Sequence, residues 1–306
     1  MPNAIAVFGF GSWAAQPIVP ALVAAGARVR VLPRKGAVSC AIPEGVESVE
    51  VDWADETNVL NALKGIDIVI SLVGHYGIDS QYLLIPALKE AGVKLFVPSE
   101  LSFPVSPKDN ETIDPQRFKA ELEVKLVEAG VPFVRVYIGD FAEFALDTPV
   151  IGVDVPNNRI VYTGHSDTQG VNLVTRPYVA AAYASLFANA PPSEVAGRSL
   201  LLTELRPTGA EIAMALEAKH GVAPAIARTP LAAMAPLISS GSPVALSALV
   251  RRMWAEGVHG RWEGVEAYDI PGARKRNIYD LIVEGELDNY RPVPFDKATF
   301  LDREFA

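Results

Sequence analysis

Short apolar runs alternate with helix-length segments along the first half of the chain. Runs of this kind, bounded by glycine or proline, are typical of buried parallel strands. We expect a strand at each of six places, namely residues 4–8, 28–32, 46–51, 66–72, 94–97 and 131–138. The segments between them predict helices at residues 56–63, 81–91 and 114–130, the last beginning at Asp114 and Pro115. Strands alternating with helices predict an α/β fold with a Rossmann-type, doubly wound parallel sheet.

The pattern changes after residue 149. Residues 150–170 are rich in turn formers, an alanine-rich segment predicts a helix at 178–188, and residues 199–202 predict a last strand. Thr208 followed by Glu211 has the spacing of a capping box, and the chain then becomes mostly helical. We therefore predict a smaller, mostly helical C-terminal substrate domain. The predicted division is 1–154 with about 171–204 for the Rossmann-type domain, and 155–170 with 205–306 for the cap.

Composition restricts the classes of function. No apolar run reaches the ~18 residues that a membrane helix needs, and the N-terminus lacks the cationic segment of a signal peptide. Cys40 is the only cysteine, and the chain has 4 histidines, so we expect no disulfide, no metal site and a cytoplasmic location. The net charge is −9 and the basic residues are dispersed, which argues against nucleic acid as a partner. A homodimer is left open.

A glycine turn follows the first predicted strand. Its residues fit the pattern G-x-G-x-x-A through Gly9, Gly11, Ser12, Trp13 and Ala14. In this pattern the glycines make a tight turn and let a pyrophosphate approach the backbone at the N-terminus of the following helix. The turn therefore predicts a dinucleotide site.

The end of the second strand indicates which dinucleotide binds. Proteins that bind NAD usually place an acidic residue there to hold the ribose hydroxyls. Here Arg34 and Lys35 stand in that place, and cations favour the 2′-phosphate of NADPH. The plainer alternative is a solvated turn with two surface cations.

Other strands end at the same edge, where open α/β sheets bind their ligands. We expect the cofactor to be lined there by Asp52, Ser71, Val73, Gly74, His75, Pro98, Ser99 and Glu100. For His75, a structural imidazole is the favoured interpretation, and contact with the cofactor or substrate is the alternative. The long polar loop at residues 101–114 predicts a lid or a wall of the substrate site.

Residues 4–146 resemble the NmrA-like atypical short-chain dehydrogenases, and within them the isoflavone reductase and phenylcoumaran benzylic ether reductase group. The resemblance is carried by DIVISLVG at 67–74, by Gln81 and by AGVKLFVPSE at 91–100. Lys119, which lies twelve residues before Val131, falls where these reductases carry their catalytic lysine. The resemblance implies an NADPH-dependent reductase that acts on a small aromatic or secondary-metabolite-like substrate.

Two positions depart from the family pattern. Where the family shows G-x-x-G-x-x-G, this chain has Gly9, Ser12 and Ala15, with the bulky Trp13 between them. The side chain of Ser12 either crowds a pyrophosphate or donates a hydrogen bond to it. Gly139 replaces the family's asparagine, so the substrate contacts of that asparagine do not transfer to this chain.

Hydride addition to a carbon–heteroatom or conjugated double bond builds negative charge that a proton must neutralise. None of the 9 tyrosines is followed by lysine four residues later, which excludes the usual short-chain dehydrogenase pair. The resemblance leaves Lys119 as a lone general acid/base, with a pKa lowered by desolvation. Without the resemblance, the sequence predicts that Lys119 is a surface lysine paired to Glu123.

Several residues are candidates for contact with the substrate, although aromatic and methionine side chains at such positions more often serve plain packing. They are Tyr76, Phe103, Gly139, Phe141 and His165, with Met253 and Trp254 as further candidates.

A second hypothesis for the function is a non-catalytic, dinucleotide-sensing regulator of the NmrA type that acts through a protein partner. Lys119 separates the two hypotheses, because a sensor needs no cation beside the nicotinamide.

Overall fold

The computed structural model describes residues 2–36, 41–74, 77–104, 114–240, 244–293 and 295–306. Strands are numbered here in chain order. They are β1 Ala4–Phe8, β2 Arg28–Leu32, β3 Glu47–Ser48, β4 Ile68–Ser71, β5 Leu95–Val97, β6 Arg135–Tyr137, β7 Asp140–Phe141, β8 Val153–Asp154, β9 Arg159–Thr163, β10 Leu173–Val174, β11 Ser199–Leu202, β12 Ala225–Thr229 and β13 Glu266–Tyr268.

Helices cover both faces of the main sheet and recur through the second half of the chain. The α-helices are Ala15–Ala24, Glu56–Ala62, Ile85–Glu90, Asp114–Ala129, Ala142–Asp147, Arg176–Phe187, Gly209–His220, Met234–Ile238, Ala245–Ala255, Ile278–Ile282 and Asp302–Phe305. No helix among the described residues is both long and apolar enough to cross a membrane.

The first half forms a five-stranded parallel sheet in the order β3-β2-β1-β4-β5. The sheet continues into β6, because the Phe96 amide donates to the Pro132 carbonyl (2.8 Å) and the Val134 amide donates to the Phe96 carbonyl (3.1 Å). Strands β11 and β13 extend it further in the order β13-β11-β6. The predicted doubly wound sheet is confirmed. The strand order reverses between β1 and β4, which is where such sheets open a crevice for ligands.

Both faces of this sheet are buried, as expected of parallel strands. Ile5 and Val7 of β1 pack on one side with helices Ala15–Ala24 and Arg176–Phe187. Ala6 packs on the other side with the helices between residues 56 and 129. Since side chains alternate along a strand, an uninterrupted apolar run is what a strand buried on both faces requires.

A separate apolar cluster underlies the second part of the chain. It includes a three-stranded sheet in the order β12-β9-β8, where Ile160 of β9 is opposite Ile226 of β12. The sequence predicted only turns at 150–170 and no strand after 199–202, and both predictions were wrong. These strands are stabilised by partners far away in sequence, so local patterning did not reveal them. The proposed domain boundaries stay a prediction.

Other predicted elements are confirmed with small changes in their bounds. β1, β2 and β11 lie where they were predicted, and Thr208 with Glu211 forms the predicted capping box. The strand predicted at 46–51 is reduced to Glu47–Ser48 plus one bridge between Arg34 and Val51. The helix predicted at 81–91 begins instead as a 3-10 turn at Asp79–Leu84. Cys40 and residues 105–113 of the predicted loop lie outside the described residues.

Gly9 and Gly26 allow a test of the contact between β1 and β4. Both have a left-handed φ, of 75° and 92°, but a Cβ on Gly9 would lie 2.8 Å from the Val73 amide nitrogen, whereas a Cβ on Gly26 would meet nothing within 4 Å. Gly26→Ala should lower the free energy of unfolding by about 1 kcal/mol, because a residue with a Cβ disfavours a left-handed φ. Gly9→Ala should cost about 1–3 kcal/mol more, because backbone must move. Urea unfolding measures both, and equal losses would contradict the tight contact.

Candidate active site

Two adjoining cavities lie at the carboxyl edge of the main sheet. The outer cavity has a volume of about 700 Å³ and the inner cavity about 130 Å³. They share Ser12, Val73 and Gly74. The outer cavity is lined by residues that follow β1, β2, β3 and β4, including Gly9, Phe10, Gly11, Pro33, Arg34, Asp52 and Gly77. The inner cavity adds Trp13, Ala14, Ser99, Glu100, Ser102, Phe103, Gln116, Lys119, Asp140, Phe141, Phe144, Leu246, Tyr290 and Arg291.

The glycine turn brings backbone close to the end of β4. The Ser12 amide donates to the Gly9 carbonyl (2.9 Å), and the Ser12 hydroxyl accepts from the Ala15 amide (3.3 Å). Ser12 thus supports the start of helix Ala15–Ala24 while its side chain lines both cavities. Among the described residues no acceptor is found for its hydroxyl proton, so Ser12 can donate a hydrogen bond into the cavity.

Trp13 packs away from the glycine turn, against later parts of the chain. Its ring makes edge contacts with Phe141 (5.2 Å between centroids) and Tyr290 (4.7 Å). The Arg176 guanidinium lies over the ring at 4.3 Å, a favourable cation–π distance. The bulky side chain in this turn therefore forms an aromatic wall of the inner cavity.

The two cations after β2 differ in their surroundings. Arg34 is exposed and lines the outer cavity, with no acidic partner among the described residues. Lys35 lies 3.8 Å from the Asp52 carboxylate and is not among the residues that line the cavity. Arg34 is thus the cation available to a phosphate, and Lys35 is partly neutralised by Asp52.

Side chains connect the ends of β4 and β5. The Ser99 hydroxyl donates to the Val73 carbonyl (2.7 Å), and the Ser99 amide donates to the Gln81 side chain (2.9 Å). Ser71 is buried below this edge, its hydroxyl unpartnered among the described residues, and neither Ser71 nor Pro98 lines a cavity. The predicted site residues His75 and Tyr76 lie outside the described residues.

Lys119 is buried rather than at the surface. Its side chain is 8% exposed, and its ammonium donates to the Glu100 carbonyl (2.7 Å) and to the Ser102 hydroxyl (2.7 Å). The Glu100 carboxylate lies 3.7 Å away. Leu101, between these two acceptors, has a positive φ of 24°, which is unusual for a residue other than glycine. The backbone at this point is held in a strained form that places both acceptors around one ammonium.

The alternative of a surface lysine paired to Glu123 is wrong. The Glu123 carboxylate instead accepts from Arg135 at 2.6 Å. Burial lowers the pKa of Lys119 below its ordinary value, and the negative charge of Glu100 opposes part of that shift. Burial likewise raises the pKa of Glu100, with Lys119 opposing. Both shifts favour the neutral forms. The pKa values of Lys119 and Glu100 therefore move towards each other, which lowers the free-energy cost of transferring a proton between them.

Some predicted substrate contacts do not reach the cavities. Gly139 packs directly against the Asn172 backbone and the His259 ring, and His165 is exposed in a turn. Met253 and Trp254 belong to the second apolar cluster, where the Trp254 indole donates to the Gln169 carbonyl (2.7 Å). Gly139, Met253 and Trp254 serve packing. Only Phe103 and Phe141 of the described substrate candidates line the inner cavity.

The sequence reasoning missed several residues of the inner cavity. Gln116 had a usable signal, because it lies three residues before Lys119 and thus on the same helix face. Ser102 and Asp140 flank residues that were predicted to line the site. No local sequence pattern predicts that Tyr290 lines the cavity. It is held in place because its amide donates to the Asp147 carboxylate (2.8 Å), far away in sequence.

The chain matches one family and several reductases. The sequence model of the NmrA-like family matches residues 1–248. An isoflavone reductase homolog from Solanum tuberosum is 36% identical over 134 residues, and phenylcoumaran benzylic ether reductase 1 from Arabidopsis thaliana is 32% identical over 134 residues. Each match covers 42% of this chain and 43% of the relative, so the chain aligns with less than half the length of these proteins.

The structural similarity to known proteins covers more of the chain than the sequence similarity does. Leucoanthocyanidin reductase from Vitis vinifera, whose structure is a binary complex with NADPH, superposes with a TM-score of 0.75 over 92% of this chain and 99% of that one. The two sequences are 18% identical, so this similarity concerns the fold. It agrees with the doubly wound sheet described above.

Glu143 allows a test of the electrostatics behind the aromatic wall. It is 1% exposed; one carboxylate oxygen accepts from the Arg176 amide (2.8 Å), and the other has no partner among the described residues. Burial raises its pKa to about 7, with the Arg176 amide opposing, from an ordinary value of 4.5. Between those values the folded protein holds a proton that the unfolded chain releases, so stability falls as pH rises through this window.

We therefore expect the free energy of unfolding of the parent to fall between pH 5 and pH 8 by about 1–3 kcal/mol more than that of Glu143→Gln. Urea unfolding at the two pH values measures the difference. Glu128→Gln, an exposed site, serves as the control and should follow the parent. Identical pH dependence in parent and Glu143→Gln would show that Glu143 ionises normally.

Proposed function

The chain belongs to the NmrA-like family, and we propose that it is an NADPH-dependent reductase that uses Lys119 as general acid/base on a small aromatic substrate. The observation that carries the proposal is the position of Lys119. Its buried ammonium lines the inner cavity, which adjoins the outer cavity at the glycine turn. A buried titratable group whose pKa is shifted by burial and by a charged partner, and which lines a cavity, is typical of a functional site, which favours a chemical role.

The outer cavity suits a dinucleotide phosphate. A Cβ on Gly9 would overlap main-chain atoms of Val73, so the turn has no side chain at this position and its backbone stays accessible to a pyrophosphate. Ser12 offers a hydroxyl donor there, and Arg34 presents a guanidinium without an acidic partner among the described residues. We propose that Arg34 binds the 2′-phosphate of NADPH and that Ser12 contacts the pyrophosphate. When bound, NADPH supplies the hydride.

The residues of the chain supply the proton and the orientation. Glu100 and Ser102 hold the Lys119 ammonium through two acceptors, which leaves its third N–H for a ligand in the cavity. A lysine whose pKa is lowered by burial gives up a proton more readily near neutral pH. Lys119 therefore protonates the atom on which negative charge develops, and the desolvated cavity strengthens this interaction.

The walls of the inner cavity indicate the substrate class. Trp13, Phe141, Phe144 and Tyr290 line one cavity, and Tyr290 lies 5.1 Å from Phe144 as well as against Trp13. Aromatic walls favour flat, apolar ligands. A volume of about 130 Å³ is close to that of engineered cavities that bind benzene, so it accommodates about one ring. Relatives named for the reduction of isoflavones and phenylcoumarans are consistent with such a substrate.

The preference for NADPH depends on Arg34. Arg34→Ala should narrow the difference in binding free energy between NADPH and NADH by about 1.5–3 kcal/mol, because a charge-assisted, bidentate contact is lost. Lys35→Ala should have a smaller effect, because Lys35 is paired with Asp52. Fluorescence titration with both cofactors measures the ratios. Equal affinities for the two cofactors in the parent would refute the assignment.

The catalytic role is tested at Lys119. Lys119→Ala should leave NADPH affinity nearly unchanged while turnover falls about 10²- to 10⁴-fold, which is the usual contribution of a general acid. Lys119→Arg should not restore turnover, since a guanidinium does not release a proton near neutral pH. Loss of nicotinamide absorbance with enones, imines and lignans measures the rates. Melting temperatures establish that both variants fold.

Lys125→Ala, on the exposed side of the same helix, is the matched control and should turn over like the parent. Undiminished turnover in Lys119→Ala would remove Lys119 from the chemistry. NADPH binding without turnover of any acceptor by the parent would favour the dinucleotide-sensing alternative instead.

A further inference from the structure

Four side-chain amides are buried in the described residues, and three of them are satisfied. The Asn3 amide donates to the Phe187 and Ala190 carbonyls, each at 2.8 Å. Gln81 donates to the Ile78 carbonyl (3.0 Å) and accepts from the Ser99 amide, and Asn172 bonds through both ends of its amide. The fourth is Gln116. It is 6% exposed, yet no hydrogen-bond partner of its side chain is found in the described parts of the chain.

The Gln116 amide faces the inner cavity. It lines that cavity together with Lys119, which is equally buried and lies one helical turn further along the helix Asp114–Ala129. Side chains three residues apart on a helix lie on the same face, with their Cβ atoms about 5–6 Å apart. Gln116 and Lys119 therefore present two neighbouring polar groups to one ligand.

The amide atoms of Gln116 are not among the fully buried, unpartnered side-chain atoms of the described residues, so they are open to the cavity and available to a ligand. A ligand that bonds to this amide gains the free energy of that hydrogen bond. The cavity wall also includes five aromatic rings, so the hydrogen bond would fix the orientation of an otherwise apolar ligand.

We propose that Gln116 is a specificity-determining residue, whose amide binds an oxygen substituent of the aromatic substrate about one helical turn from the atom that Lys119 protonates. This deepens the proposed function and rests on it for the identity of the reacting atom. An amide both donates and accepts, so a hydroxyl and a carbonyl group are equally well bound. The carboxylates of Glu100 and Asp140 balance the cations of Lys119 and Arg291 in the lining of the cavity, so the lining does not call for a charged substituent. The substituent is therefore a neutral oxygen group.

The first test needs no ligand. Gln116→Met replaces the amide by an apolar chain of similar length, and Gln81→Met makes the same change at a satisfied amide. Because Gln116 has no bond to lose, its variant should melt at or above the temperature of the parent, whereas Gln81→Met should melt several degrees lower. A loss of stability in Gln116→Met like that in Gln81→Met would show a structural role and overturn the proposal.

The second test measures binding rather than turnover. The probes are benzylideneacetone and its 2-, 3- and 4-hydroxy derivatives, titrated by tryptophan fluorescence in the presence of NADP⁺. The parent should bind at least one hydroxylated probe about tenfold more tightly than the unsubstituted one, the value of a well-made hydrogen bond. In Gln116→Met this discrimination should fall below about threefold, with the unsubstituted probe bound as well as by the parent.

Discrimination that persists in Gln116→Met, or a parent that distinguishes none of the probes, would overturn the proposal. Failure of the reductase assignment is a separate result, namely absence of NADPH oxidation with every probe. The binding difference at Gln116 is measured without turnover, so the two outcomes remain distinguishable.

Discussion

The close approach of Gly9 to the backbone of Val73 is the constraint on which the rest of the site depends. β1 and β4 are neighbours in the sheet, and the chain turns to opposite sides after them. At that point a Cβ on Gly9 would overlap main-chain atoms, so the turn leaves room only for glycine. The resulting crevice is lined by backbone and small side chains. It divides into an outer and an inner cavity at Ser12, Val73 and Gly74.

The inner cavity combines two physical environments. On one side, Lys119, Glu100 and Ser102 form a buried polar cluster, in which each charge is stabilised by the other and destabilised by burial. On the other side, aromatic rings from the glycine turn and from the C-terminal segment give the cavity an apolar wall. Low dielectric surroundings strengthen the interaction between a buried cation and a charge that develops on a ligand. The aromatic wall and the ammonium therefore act together.

The C-terminal segment that supplies Tyr290 is held by partly buried hydrogen bonds and ion pairs. Tyr290 and Lys297 both bond to the Asp147 carboxylate, and Glu304 near the C-terminus bonds to the buried Arg251. These contacts join residues that are far apart in sequence. They place an aromatic ring of the second part of the chain against Trp13 of the first, so the inner cavity is complete only when both parts have packed.

Local patterning determined the elements that depend on short-range physics. The apolar run of β1, the glycine turn after it and the capping box at Thr208 and Glu211 each rely on residues within a few positions, and each was predicted. The family resemblance directed attention to Lys119. Only the tertiary structure decided that Lys119 is buried, that Trp13 packs on Tyr290 and that Gln116 faces the same cavity without a bond of its own. Burial and long-range pairing depend on which distant segments meet, and no local sequence pattern contains that information.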